Sequence, residues 1–121
     1  MSCIFCDIVA GKSPCRKIYE DDLIIGIMDI DPFFFFFALL IPKKHYTDMM
    51  DLDEEILKHI NHVAKELTPM LMEKLGKVSM TISYNYGEKQ KVKHFHVHLL
   101  PNIDDDPKED VATIYEKICA K

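Results

Sequence analysis

Three histidines alternate with apolar residues in Val92-Lys93-His94-Phe95-His96-Val97-His98-Leu99-Leu100-Pro101. Period-2 alternation is the pattern of a β-strand. Residues 92–101 are therefore expected to form one, with His94, His96 and His98 on one face and Phe95, Val97 and Leu99 on the other. Same-face neighbours along a strand sit about 6.6–7 Å apart, too far for three imidazoles to converge on one metal but well spaced for adjacent tasks. An imidazole attacks phosphorus when a hydrogen bond to its second ring nitrogen fixes the tautomer and exposes a lone pair. A neighbouring imidazole can hydrogen-bond or neutralise the phosphate oxygens. The chemistry suited to this ladder is nucleotidyl transfer through a phosphohistidine. The plainer alternative is surface histidines or a tag-like tract. It fits less well, because tags are uninterrupted and terminal, whereas this run is internal and alternating.

The second group with chemistry is Cys3-x-x-Cys6. Taken with His45 and His94 it offers two thiolates and two imidazoles, the donor set of a closed tetrahedral Cys2His2 zinc site. A C-x-x-C pair also serves redox exchange, but no thioredoxin-like βαβ pattern surrounds this one. Choosing His45 and His94 among six histidines rests on more than spacing. Cys15 and Cys119 are expected to be ordinary thiols.

The elements that would position these groups follow from periodicity and punctuation. Residues 3–10 suggest a short helix stopped by Gly11 and Pro14, too short to be stable without an anchor such as a metal on Cys3 and Cys6. Residues 17–20 and 23–28 are strand candidates joined by Asp21-Asp22, and Pro32 ends the second segment. Five consecutive phenylalanines, residues 33–37, run into Ala38-Leu39-Leu40-Ile41-Pro42, whose first four residues form the more plausible strand. Asp51-Leu52-Asp53-Glu54 has the form of a capping box, with Asp51 as N-cap of a long helix. Ile56, Ile60, Val63, Leu67, Met70 and Leu71 make its apolar stripe, and Pro69 should kink or split it. His59 and His62 are expected on its solvated surface. Residues 78–86 alternate as a strand with Val78, Met80, Ile82 and Tyr84 on its core face. Asp106-Pro107-Lys108-Glu109 opens a terminal helix. The order points to an α+β fold, a mainly antiparallel sheet with one long helix and short N- and C-terminal helices.

With 121 residues, 48% of them hydrophobic, the chain is expected to be one domain, residues 1–121. Its net charge of -5 argues against a nonspecific nucleic-acid binder, which carries a basic footprint. No run approaches the roughly 18–20 apolar residues of a membrane span, and the N-terminus lacks a secretory pattern. A cytoplasmic location is expected, without nucleic-acid or membrane partners.

His94-Phe95-His96-Val97-His98-Leu99-Leu100 resembles the His-φ-His-φ-His-φ-φ signature of the histidine triad (HIT) superfamily. Cys3-Ile-Phe-Cys6, Tyr19-Glu-Asp-Asp22, Asp29-Ile-Asp-Pro32, Leu40-Ile-Pro-Lys-Lys-His45, Asn85 with Gly87, and Gln90-x-Val92-x-His94 fall in the family's order. The likeness covers most of the chain and is nearest to the small zinc-carrying branch of nucleotide and phosphoramidate hydrolases. It implies a HIT-like α+β sandwich, usually a homodimer. It implies that His96 is the nucleophile toward the α-phosphorus, that His98 contacts the phosphate, and that Cys3, Cys6, His45 and His94 bind structural zinc. It also implies that Asp29 holds the ribose and that Phe5, Ile8, Ile27 and Ile30 hold the base. Asn85 and Gln90, with Lys91 beside them, would lie near the phosphates of a purine nucleotide or nucleotide conjugate.

There are departures from the family pattern. Phe37 stands where many members have histidine, residues 33–36 replace a small polar loop, Lys89 replaces a glycine, and Lys91 takes a Ser or Thr position. The segment between Gly87 and Gln90 is also about two residues short. The implied activity is hydrolysis of a purine nucleoside phosphoramidate or AMP conjugate through a nucleotidyl-histidine. The alternatives are a dinucleoside polyphosphate hydrolase and a nucleotide-binding scaffold with weakened catalysis.

Overall fold

The structure, a computed structural model, describes residues 3–28, 38–76 and 79–101 together with Glu116 and Cys119. The expectations for Asp29, Ile30, the phenylalanine run, Val78 and most of the terminal helix lie outside the described residues. Glu116 and Cys119 are helical.

The described elements run α1 (Ile4–Val9), β1 (Arg16–Glu20), β2 (Ile24–Met28), β3 (Ala38–Pro42), α2 (Glu54–Leu75), β4 (Met80–Ser83) and β5 (Val97–Pro101). All strand pairs are antiparallel, in the order β1-β2-β3-β5-β4. Strands β2 and β3 are buried along their whole length, because each face of the sheet is covered by a different helix. Ile24, Met28, Ala38, Leu40, Val97 and Leu99 meet Ile60, Val63, Ala64, Leu67 and Leu71 of α2. The alternate residues Ile25, Ile27, Leu39 and Ile41 meet Phe5 and Ile8 of α1. Period-2 side-chain alternation thus divides two continuous apolar runs between two cores. Gly26 lies on the α2 side, where a Cβ would come within 3.1 Å of Leu40 and 3.2 Å of Tyr19.

Helix α1 is capped by the Cys3 sulfur, which accepts from the Cys6 amide at 3.3 Å. It ends before Gly11, whose φ of 79° is a conformation glycine adopts without strain. The N-cap of α2 is Asp53 rather than Asp51. Asp53 accepts from the Glu55 amide, and Gly76 closes the helix in the left-handed region. The Asp51 carboxylate instead accepts from the amides of Thr47 and Asp48 and folds the preceding turn. Pro69 does not split α2, which is one helix of 22 residues.

Two strand expectations change. Strand β4 covers Met80–Ser83 rather than residues 78–86, and two of the expected core residues are left exposed, Ile82 at 47% although it opposes buried Leu99, and Tyr84 at 37% although its ring lies 5.1 Å from that of Phe95. This strand is one of the two edges of the described sheet, with a neighbour on one side only. The histidine strand begins only at Val97, so the three histidines do not form one uniform ladder. Residues 90–96 leave the sheet to bond the end of β3 and the segment after it. Phe95 donates its amide to the Tyr46 carbonyl at 2.7 Å instead of extending the pairing with β3.

Candidate metal centre and active site

Four side chains converge beside the N-terminus of α1. Cys3 and Cys6 come from the cap and first turn of α1, His45 from the segment after β3, and His94 from the segment before β5. Their ligand atoms all lie within 4.8 Å of one another. The Cys3 sulfur is 3.3 Å from His94 Nδ1, and the Cys6 sulfur is 3.2 Å from His45 Nδ1 and 3.4 Å from His94 Nδ1. Zinc bonds of about 2.3 Å to sulfur and about 2.0–2.1 Å to nitrogen, arranged tetrahedrally, require ligand separations of about 3.5 Å. The three sulfur–nitrogen spacings of 3.2, 3.3 and 3.4 Å lie close to that value.

The outer contacts fit the same ion. His94 is fully buried, and its Nε2–H donates to the Pro42 carbonyl at 2.8 Å, which leaves the Nδ1 lone pair directed at the cluster. Burial pulls His94 below the ordinary histidine range, aided by His45 and His96 and opposed by the Pro42 bond, so it is a neutral ligand. Burial, the hydrogen bond with Cys3 and the charges of Cys3 and Asp7 push the Cys6 thiol up to about 11. Two sulfurs this close repel as thiolates. A dication reverses that balance, and binding it releases protons.

His96 stands beside this centre. Its Nδ1–H donates to the His94 carbonyl at 2.8 Å, which places the lone pair on Nε2. The Phe5 ring meets it edge-on at 4.9 Å, and the His98 ring lies at the same centroid distance on another side. His98 pairs with Leu39 in the sheet, so it shares the α1 face with Ile25, Ile27 and Ile41. Burial, and then the proximity of His96, lower His98 to about 4. At neutral pH it is an uncharged donor.

Of the other expected site residues, Phe5, Ile8 and Ile27 come together in the apolar cluster beneath α1. Asn85 is half-buried just beyond β4, and Lys91 is exposed. Gln90 is placed differently from its expected role. It is 4% exposed, and its side-chain amide donates to the carbonyls of Thr47 at 2.7 Å and Val92 at 3.0 Å. What remains for a ligand is the acceptor oxygen, which an anionic phosphate does not favour.

One polar cluster on the far side of the sheet joins the Tyr19-Glu-Asp-Asp22 motif to His59 of α2, a partner the motif does not indicate. Asp21 accepts from Tyr19 at 2.7 Å, from the amides of Leu23 and Ile24, and pairs with His59 of α2 at 2.6 Å. An aspartate in a hairpin turn is a recognisable signal for the two amide bonds. Nothing local points to His59.

Residues 2–113 match the family described as scavenger mRNA decapping enzyme C-term binding. The fold superposes with a TM-score of 0.85 on a zinc-bound histidine triad family protein from Mycobacterium smegmatis, 33% identical, covering 98% of this chain and 91% of that one. The chain belongs to the HIT family. Among HIT relatives it is 35% identical to an adenosine 5'-monophosphoramidase of Schizosaccharomyces pombe, over 88% of this chain and 78% of that protein. It is 30% identical to an Arabidopsis thaliana adenylylsulfatase, over 86% of this chain and 54% of that protein. In this HIT protein Cys3, Cys6, His45 and His94 form a structural zinc site. Bound there, the ion would tie α1 to the two segments that deliver the histidines. No helix among the described residues is long and apolar enough to cross a membrane.

Proposed function

We propose that this HIT protein hydrolyses a purine nucleoside phosphoramidate or related AMP conjugate, with His96 as the nucleophile. The observation that carries the proposal is the hydrogen bond from His96 Nδ1 to the His94 carbonyl, since it fixes the tautomer that attack on phosphorus requires. Nε2 forms a bond to the α-phosphorus while the bond to the leaving group breaks, and the leaving amine takes a proton from solvent water. Water then cleaves the phosphorus–histidine bond and releases AMP. His98 stabilises the phosphoryl oxygens as a neutral donor, with Asn85 close by. Phe5, Ile8, Ile27 and Ile30 hold the base, and Asp29 holds the ribose. The names of the fission yeast and Arabidopsis relatives support an adenosine nucleotide substrate.

Lys89 and Lys91, both exposed on the segment leading to His94, favour a second candidate substrate, a dinucleoside polyphosphate whose leaving group is anionic. We also propose a homodimer that covers the edge strand β4 and its exposed Ile82 and Tyr84. Cys3 and Cys6 as metal donors, with Cys15 and Cys119 as thiols, suit a reducing, cytoplasmic setting.

The test is a rapid acid quench of the protein mixed with an AMP amide, followed by mass mapping, with a diadenosine polyphosphate assayed in parallel. An AMP adduct on His96 and faster turnover of the amide are expected. Nucleotide on another residue would refute the mechanism. No turnover of either compound would leave the scaffold alternative.

A further inference from the structure

Three hydrogen bonds cross between the segment carrying His94 and the segment carrying His45. His94 Nε2 donates to the Pro42 carbonyl, the Phe95 amide to the Tyr46 carbonyl, and the Gln90 side chain to the Thr47 carbonyl. The accepting carbonyls flank His45 on both sides, so the backbone that presents this ligand is gripped before and after it. Two of the crossings come from a zinc ligand and its neighbour. The third comes from a buried glutamine four positions earlier in the chain.

Gln90 also donates to the Val92 carbonyl, and its own amide bonds the Gly87 carbonyl at 3.0 Å. Lys93 reaches the same Gly87 carbonyl at 3.0 Å. The Gln90 backbone amide and Lys93 thus close the 87–93 segment on Gly87, while the Gln90 side chain ties Val92 to the His45 segment. Leaving its two donors unmade in a site this buried would be costly, so the two segments are held in one arrangement.

We infer that Gln90 is a positioning residue for the zinc site, setting the separation of His45 and His94 by clamping the Thr47 and Val92 carbonyls. This role depends on the zinc site and not on the reaction proposed for His96. By linkage, a clamp that favours the metal-binding arrangement raises zinc affinity, and bound zinc holds the clamp closed.

Gln90→Met retains the side-chain volume and removes both donors. Chelator competition should show zinc binding weakened by about 10- to 100-fold, the range for loss of an outer partner of a metal ligand. The visible absorption of the cobalt-substituted variant should shift, reporting altered tetrahedral geometry. A lower melting temperature with unchanged zinc affinity and cobalt spectrum would reduce Gln90 to packing and overturn the inference. A raised KM for an AMP conjugate with unchanged zinc affinity would make it a phosphate contact and overturn the inference as well. If the variant does not fold, the zinc-loaded wild-type protein supplies the measurement by NMR. The Gln90 side-chain amide protons should exchange slowly and keep their shifts during titration with AMP. Solvent-rate exchange, or shifts that follow AMP, would count equally against the clamp.

Discussion

His94 and His96 donate hydrogen bonds from opposite ring nitrogens. His94 uses Nε2 toward the Pro42 carbonyl, and His96 uses Nδ1 toward the carbonyl of His94 itself, both at 2.8 Å. The two tautomers are therefore opposite, with the His94 lone pair on Nδ1 toward the cysteines and the His96 lone pair on Nε2. The backbone of the metal ligand orients the imidazole proposed as nucleophile. The zinc site and the imidazole proposed as nucleophile are joined here through a single peptide carbonyl.

That coupling separates the effects of substitutions at neighbouring histidines. His96→Ala should lower turnover by roughly 10⁴-fold or more, as loss of a nucleophile does, with zinc content and fold retained. His98→Ala should lower it by about 10² to 10³, the usual effect of one lost donor to a developing oxyanion. Steady-state kinetics beside metal analysis would measure both. Near-normal activity in the His96 variant would rule out its role.

Zinc should contribute folding free energy, because α1 has only six residues and is too short to hold itself. Stripping zinc, or making Cys3→Ser or His94→Ala, is expected to cost about 3 kcal/mol or more, equivalent to a melting point lowered by roughly 10 °C. Calorimetry with and without chelator checks this. Metal analysis of untagged protein that finds no zinc would contradict it.

Acid stability should depend on Asp21. Burial alone would raise its pKa, but the hydrogen bonds from Tyr19, His59 and the Ile24 and Leu23 amides outweigh burial and hold it well below the ordinary carboxylate range. A pKa lower in the folded than in the unfolded chain gives stability that is complete above about pH 4–5 and is lost as pH falls toward the folded value. Asp21→Asn should cost about 1–2 kcal/mol at pH 7, a figure reduced for partial exposure. The gap between variant and wild type should narrow in acid. Urea titrations at pH 7 and pH 3 measure it, and a gap independent of pH would contradict the assignment.

The edge strand predicts an assembly. Sedimentation at micromolar concentration should show a dimer, and Ile82→Lys together with Tyr84→Lys should yield a folded monomer, since both side chains are exposed at the β4 edge. A wild-type species of only 14.1 kDa would exclude it.

The residues themselves determined much of this. Alternation and apolar periodicity place the hairpin of β1 and β2, strand β3, helix α2 and the short α1, because each pattern is local and each element answers to its own sequence. The four zinc donors are legible as residue types, and their assignment comes from the family signature around His94, His96 and His98. Tertiary structure decided what local pattern cannot express. The alternation of residues 92–101 promises one strand, yet Phe95 gives its amide to Tyr46 and His94 gives its ring proton to Pro42. Contacts made 49 and 52 positions away along the chain outcompete the ladder there, and the strand starts at Val97. Gln90 reads in sequence as a polar group for a ligand, whereas its bond to Thr47, 43 positions distant, commits its donors to the backbone. His59 reads as solvated helix surface, but packing of α2 brings it to Asp21, 38 positions away. Periodicity records which face of an element is apolar. Which buried donor meets which distant carbonyl depends on how the elements dock, and only the folded chain specifies that.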